Sequence, residues 1–518
     1  MRVKIGIAIA MLLCCMVQVF GQTVVNPLDY GLNKAKTGTE RYGILLKCHQ
    51  DAVKKNAKVT YAGVGSIEIE IPEKFTSIPL TSETDFAGCT LRVLNSQKKS
   101  VYLYSMIQKS KAVEVPAKCL DKADFRKIAE LNNGTYLLII TDKNLWVDNR
   151  IGYSYGHTRK DVMLVRNGMG SNKPVMPYDN IQSQAECTFC KVDMSQKTIK
   201  NLNVVRDARS TAVTNILRIE AQNNVLLENM NFTTHDGTGL VDDRLIRIEN
   251  CTNVRFENLN VKGTYSATDH WGYAFNLNNI WNHTAHRVTA IGNWGVYGNN
   301  NIHKALMQDC DLNRFDIHCY GRDISSKGCT YRNLYNQYSA TYGEIRYEDC
   351  TFTNFTPYLT GGSYNAFVGV DVVFNRCTFN LTQSGNQKTC ITKISGLGHV
   401  ENKRPELRKK CLPNFSFRNC TINMNQNLKR WYFFNFGNVK EIPDLGYISA
   451  INMWNVIING DASFDISNVA FDTEMPLSIN FIKVYSVKNG KRKKYQMQPV
   501  TVGKNTTVKC NRKVVEKK

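Results

Sequence analysis

The segment His318-Cys319-Tyr320-Gly321-Arg322 sets an imidazole, a phenol and a guanidinium at alternate positions. On a strand, alternate side chains share a face. His318, Tyr320 and Arg322 would then line one face, and Cys319 and Gly321 the other. Related segments lie on either side, Gly295-Val296-Tyr297-Gly298-Asn299 upstream and Ala340-Thr341-Tyr342-Gly343-Glu344 downstream, with the tyrosines 23 and then 22 residues apart. Stacking the tyrosines gives an outward row: Tyr297 and Asn299; His318, Tyr320 and Arg322; Tyr342, Glu344 and Arg346. With strands about 4.8 Å apart and alternate residues about 6.6 Å apart, the row is the width of a disaccharide. The opposite parity would stack the tyrosines inside. It would also bury His318, Arg322, Asn299 and Glu344, and unpaired buried charge is costly. The outward parity is therefore preferred.

Such a face suits β-elimination on a uronate-containing polymer. Asn299 and Arg322 would neutralise the uronate carboxylate and acidify the C5 proton. His318 titrates near neutrality and is the natural base. Tyr320 would protonate the leaving oxygen, or act as base if Arg322 lowers its pKa. Glu344 would hold Arg322 or His318. Tyr297, Tyr342, Arg346, His303, Trp294, His270 and Trp271 are the expected substrate contacts, aromatic faces being suited to pyranose rings. His270, His283, His286 and His303 are alternative bases, and Trp281 is a further ring near these coils. A rival chemistry uses Asp236, Asp242 and Asp243, either as hydrolytic acids or as Ca2+ ligands. The leading reading requires no metal or other cofactor.

The scaffold follows from the repeat. Val225-Leu-Leu-Glu-Asn-Met-Asn231 returns as Val254-Arg-Phe-Glu-Asn-Leu-Asn260, and Arg346-Tyr-Glu-Asp-Cys-Thr-Phe352 as Val373-Phe-Asn-Arg-Cys-Thr-Phe379. Short strands with Asn at the bends predict stacked β-coils. Cys251, Cys329, Cys350, Cys377 and Cys420, each followed by Thr, read as one structural site revisited on successive coils, a ladder of buried thiols. Cys187-Thr-Phe-Cys190 has no second pair at zinc spacing. Residues 40–56 carry apolar groups at helical spacing, and a helix there would cap the first coil. An excursion is expected at 383–412, loss of the period after about 465, and a frayed tail from Arg512 to Lys518.

An N-terminal cap helix followed by Asn- and Cys-laddered coils resembles the right-handed parallel β-helix of the pectate-lyase-like superfamily. That resemblance implies an all-β, single-stranded solenoid. The expected organisation is a leader at 1–21, an N-terminal segment with cap helix at 22–60, a β-helix at 61–465, and a closing β segment with a basic tail at 466–518. The superfamily includes polysaccharide lyases, glycoside hydrolases, esterases and phage tailspikes, and fold alone does not choose among them.

Bulk properties narrow the choice. Arg2 and Lys4, the apolar run Ile5 to Phe20, and Gly21 read as an export signal. The expected location is secreted, periplasmic or at the cell surface. That makes intracellular nucleic acid an unsuitable partner, and no further stretch is long enough to span a bilayer. A net charge of +22 over 518 residues favours a polyanion. The expectation is a monomeric polysaccharide lyase acting on an anionic polymer, with a sulfated glycosaminoglycan such as chondroitin sulfate favoured. The alternatives are a glycoside hydrolase and a non-catalytic glycan-binding β-helix.

Overall fold

The computed structural model describes residues 23–97, 99–147, 157–173, 185–233, 245–262, 273–291, 297–332, 336–338, 341–354, 356–360, 368–383, 388–394, 413–436, 450–470, 476–488 and 490–518. The expected leader lies outside them, as do residues 384–387 and 395–412 of the excursion expected at 383–412, and His235, Asp236, Asp242, Asp243, His270, Trp271 and Trp294; within that stretch Cys390–Ile394 is instead a strand of the parallel stack.

The chain opens with the helix Gly38–Lys55. Thr37 and Glu40 form a reciprocal capping box at its start, and Asn56 ends it in a left-handed conformation. Tyr42, Leu45, Cys48, His49 and Ala52 form its buried face. That face lies on the first coil, against the strands Ser66–Glu70 and Ile78–Pro79, as a cap should.

Strands then stack in parallel along three columns. The first runs from Lys58–Thr60 and Glu83–Asp85 through Thr341–Glu348 and Val368–Asn375 to Leu477–Ile482 and Thr506–Cys510. The second runs from Ser66–Glu70 to Tyr485–Lys488. The third runs from Ile78–Pro79 to Ser463–Ser467. The molecule is an all-β parallel solenoid. Its stacking continues beyond residue 465, contrary to expectation, and two antiparallel hairpins close the end. The tail is not frayed: Lys518 Nζ lies 2.7 Å from the buried Asp465 carboxylate, which also pairs with Arg430 at 3.0 Å.

The bends explain the Asn content. Asn224, Asn253 and Asn282 have positive φ, and their side chains bond rung to rung at 2.9 Å. Asn250, Asn279 and Asn301 form a parallel ladder at 2.8 Å. Each carboxamide both donates and accepts, so a left-handed bend repeats without orphaned groups. The thiol ladder occupies another corner: Cys329, Cys350, Cys377 and Cys420 each donate to a carbonyl of the preceding coil. Cys310 belongs to it. Cys251 does not, because it sits at the corner facing Ile280.

The sequence reading missed an insertion. Residues 111–191 form a five-stranded antiparallel sheet in the order Met169–Gly170, His157–Arg166, Thr135–Val147, Glu186–Lys191, Lys111–Glu114. One face packs on the short helix Ala117–Lys122 through Leu120, Leu138, Ile140, Met163 and Phe189. The other buries Leu137, Ile139, Val162, Leu164 and Cys190 against Trp281 of the solenoid. Cys187 and Cys190 therefore face opposite ways and share no site.

Candidate functional site

The register corrects the expected tyrosine row. Tyr297 lies opposite Phe275 and Phe315, fully buried in the interior stack, with ring centroids 5.0 Å away on both sides. It cannot contact a substrate. Asn299 is also interior: its Oδ1 accepts from the Leu277 amide at 3.2 Å and its Nδ2 donates to the Asp316 carbonyl at 2.9 Å. Both of its functions serve the backbone, so none remains for a carboxylate. Tyr342 pairs with Arg322 rather than with Tyr320. From Trp281 to His303, Arg322 and Tyr342 the rungs advance by 22, 19 and 20 residues, so a 23-then-22 spacing does not keep the tyrosines in line.

Tyr320 does not share a face with its neighbours. Its φ is +66°, which breaks the strand alternation between Gly321 and the preceding residues. It falls opposite Asn301, between the pairs Asn300–Cys319 and Ile302–Gly321. A mostly buried tyrosine thus occupies the position that Asn250, Asn279 and Asn301 hold on the coils before it. His318 lies on the strand Phe315–Lys327 as the unpaired residue of a bulge, since Asn299 faces Ile317 and Asn300 faces Cys319. Bulges of this kind re-aim side chains and often border active sites.

The second ladder changes at the same level. By register Asn282 is followed by Lys304, Asp323 and then Gly343, with φ of +64°, +54° and +73°. Between the two ladders runs the row Thr252, Trp281, His303, Arg322, Tyr342. Where structural Asn stops, titratable groups begin: His303, Lys304, Tyr320, Arg322 and Asp323 share one corner of two adjacent coils.

The geometry within this corner is close. His303 Nε2 lies 3.5 Å from the Asp323 carboxylate, and Arg322 Nε lies 3.7 Å from the same oxygen. Arg322 Nη1 donates to the Lys173 carbonyl of the insertion at 3.0 Å. The His303 ring meets Trp281 edge-on at 4.0 Å, under the inserted sheet, and Lys304 Nζ lies 5.6 Å from the Trp281 ring centroid. Burial, followed by the Arg322 and Lys304 charges, pulls the His303 pKa down to about 3, so its ring is neutral at physiological pH. Asp323 and Arg322 retain partial exposure. Gly343 is needed here: a Cβ on it would stand 2.1 Å from Asp323 Oδ1.

A groove of about 370 Å³ borders the corner, lined by Met194, Asn224, Asn253, Arg255, Asn282 and Thr284. Lys304 and Asp323 continue the line of Asn224, Asn253 and Asn282 one and two rungs further on. Glu344 and Arg346 sit beyond, locked in a two-pronged pair at 2.7 and 2.8 Å, so Glu344 holds Arg346 rather than Arg322. Asp316, seven residues before Asp323 on the same strand, is fully buried with Arg314 at 2.5 Å, and Arg314 also reaches the Tyr273 hydroxyl at 3.2 Å. Sequence reasoning passed over Lys304 and Asp323. The signal that could have found them is the local loss of Asn from two otherwise regular ladders.

No protein family matches the chain, and no curated protein does. Among solved structures it is similar to the tailspike protein gp49 from Pseudomonas phage LKA1, with a TM-score of 0.59 and 13% identity over 89% of this chain and 81% of that one. A weaker likeness reaches the Pseudomonas phage phi297 tailspike gp61, with a TM-score of 0.46 and 12% identity over 94% and 84% of the two chains. Another is to the Gp54 tailspike of Acinetobacter baumannii bacteriophage AP22, solved with A. baumannii capsular saccharide, with a TM-score of 0.44 and 10% identity over 94% and 79%. At such identities the first of these is a likeness of fold. Among the described residues no helix is long and apolar enough to cross a membrane, and no group of three or more His, Cys, Asp or Glu could hold a metal ion.

Proposed function

We propose that this chain acts outside the cytoplasm on an anionic, uronate-containing polysaccharide and cleaves it by β-elimination, with a sulfated glycosaminoglycan such as chondroitin sulfate as the favoured substrate. The observation that carries the reading is the replacement of ladder asparagines by Lys304, Tyr320 and Asp323 around His303 and Arg322. The polymer lies along the groove beside Asn253 and Asn282. Lys304 and Arg322 meet the uronate carboxylate and stabilise the charge that builds up as the C5 proton leaves. Asp323 orients Arg322. Neutral His303 is a positioning group: a base with so low a pKa gains little from taking a proton at pH 7. Proton removal and return fall to His318 and Tyr320, which sit at the bulge and at the bend of one strand.

Hydrolysis by an inverting route needs two carboxyl groups about 6.5–9.5 Å apart with room for water. Among the described carboxylates of this region, Asp316 is sealed against Arg314, Glu344 is committed to Arg346, and Asp323 faces His303 and Arg322. The hydrolytic candidates Asp236, Asp242 and Asp243 lie outside the described residues, so hydrolysis is the second reading and the assay separates the two. The test is incubation with chondroitin sulfate, hyaluronate, pectate and alginate, with and without Ca2+, following the ultraviolet absorbance of the unsaturated uronate. Arg322→Gln should lower the rate about 10²–10³-fold with the fold intact. Chain shortening without absorbance gain would mean hydrolysis. Retained binding without cleavage of any polymer would mean a glycan-binding protein.

A further inference from the structure

Half of the chain's charge is gathered at one end of the solenoid. Residues 483–518 contain twelve Lys or Arg and one acidic residue, Glu516, against a net charge of +22 for all 518 residues. All twelve cations are exposed. Four of them, Lys491-Arg-Lys-Lys494, form the outer strand of the hairpin with Tyr485–Lys488. Charge of one sign on a rigid ribbon is a costly arrangement unless an anion answers it.

The same surface carries aromatic rings set among these cations. Trp454 is 55% exposed, with Ile482 beside it in register and Lys483 Nζ 5.7 Å from its ring centroid. The Arg492 guanidinium stacks on the Tyr485 ring at 3.7 Å, and its Nη2 donates to Asn455, the neighbour of Trp454, at 3.3 Å. Trp454, Lys483, Tyr485 and Arg492 are thus one connected patch over the last coils. A cavity of about 430 Å³ opens at this end, bordered by Lys494 and Lys513.

We propose that this patch is a second, non-catalytic site that anchors a linear anionic polysaccharide. Arg492 and Lys494 stand about 7 Å apart on the face of the strand that carries Tyr485, a spacing suited to charges carried at intervals on an extended chain. The exposed indole supplies a flat apolar surface for a sugar ring beside a cation for its acidic group. A lipid surface would call for a broader apolar fringe than one Trp and one Ile. The inference rests on the polysaccharide reading for the class of ligand, and on none of the chemistry at the Arg322 corner.

The experiment measures binding of the full chain to immobilised chondroitin sulfate across a salt gradient. The K491Q/R492Q/K493Q/K494Q variant should bind about tenfold more weakly at low ionic strength, the difference shrinking as salt rises. Trp454→Ala should weaken binding at all salt concentrations, because stacking is not screened. The quadruple variant touches none of the groups at the Arg322 corner and should keep the parent's elimination rate on a short soluble oligosaccharide, so failure of the elimination reading and failure of this one are separable. These side chains are exposed, and unchanged melting curves verify the fold. Undiminished binding in the quadruple variant overturns the proposal. So does tighter retention on anionic phospholipid vesicles or RNA than on the polysaccharide with no effect of Trp454→Ala.

Discussion

Gly343→Ala tests the corner most directly. Two penalties act at that position and can be separated. The backbone has φ of +73°, where an L-alanine costs about 1–2 kcal/mol. The new Cβ would also stand 2.1 Å from Asp323 Oδ1, a separation that side chains do not tolerate below about 3 Å, so the carboxylate must move by about 1 Å. Gly88→Ala supplies the control, since its φ is +76° and no atom lies within 4 Å of the added Cβ. Both variants should lose about 1–2 kcal/mol in urea unfolding. Asp323 is 3.5 Å from His303 and 3.7 Å from Arg322, contacts that a 1 Å shift disrupts. A displacement of that size costs about 10²-fold when it misplaces a reacting geometry. Elimination by Gly343→Ala should therefore fall about 10²-fold, while Gly88→Ala stays within about twofold of the parent. Equal activity in the two variants would refute the role given to Asp323.

Trp281→Ala should cost about 3–5 kcal/mol, because the indole fills the joint between the solenoid and Leu137, Ile139, Val162 and Leu164 of the inserted sheet. Limited proteolysis should then cut preferentially within 111–191, and unchanged protection would show that other contacts hold the sheet. A second prediction concerns acid. Burial lowers the pKa of His49 and His283 to about 4 and of His303 to about 3. The unfolded chain binds these protons from about pH 6.5 downward and the folded chain does not, so stability present above pH 6.5 is lost as pH falls towards 4. Three such groups give a slope of up to about 4 kcal/mol per pH unit near pH 5. His283→Gln, which replaces the ring beside Val254 and Tyr297, should reduce that slope by about a third. A flat profile would mean that the rings are reached by solvent.

The repetitive part of the fold was legible because its causes are local. Asn at left-handed bends, Cys before Thr and the helical spacing around Tyr42 and Leu45 each leave a mark in the residues themselves. The insertion was not legible as a separate unit. Tyr136-Leu-Leu-Ile-Ile140 reads like any solenoid strand, and only its unbroken apolar run hints at burial on both faces. The register of the central coils was misread for a related reason. Tyr-Gly pairs recur at nearly constant spacing, but successive coils here differ in length, and Phe315 follows the second column after only Asn313 and Arg314.

On such a scaffold the bend ladders locate a site better than a row of residue types does. A row of reactive residue types is ambiguous, because either parity of a strand can host it. A ladder is not ambiguous, since each rung donates to one neighbour and accepts from the other, and a rung that cannot do both breaks the chain of bonds. Replacing Asn by Lys304, Tyr320 and Asp323 forgoes those bonds and keeps three non-glycine residues at positive φ, each at about 1–2 kcal/mol. The bend of Asn229 and Asn258 also gives way to Arg287, Asp309, Asp349 and Arg376 at positive φ, so loss of Asn on one ladder does not by itself mark a site. The concentration of Lys304, Tyr320 and Asp323 on two adjacent rungs, on either side of His303 and Arg322 and at the end of the groove, is what a functional requirement at that corner would produce.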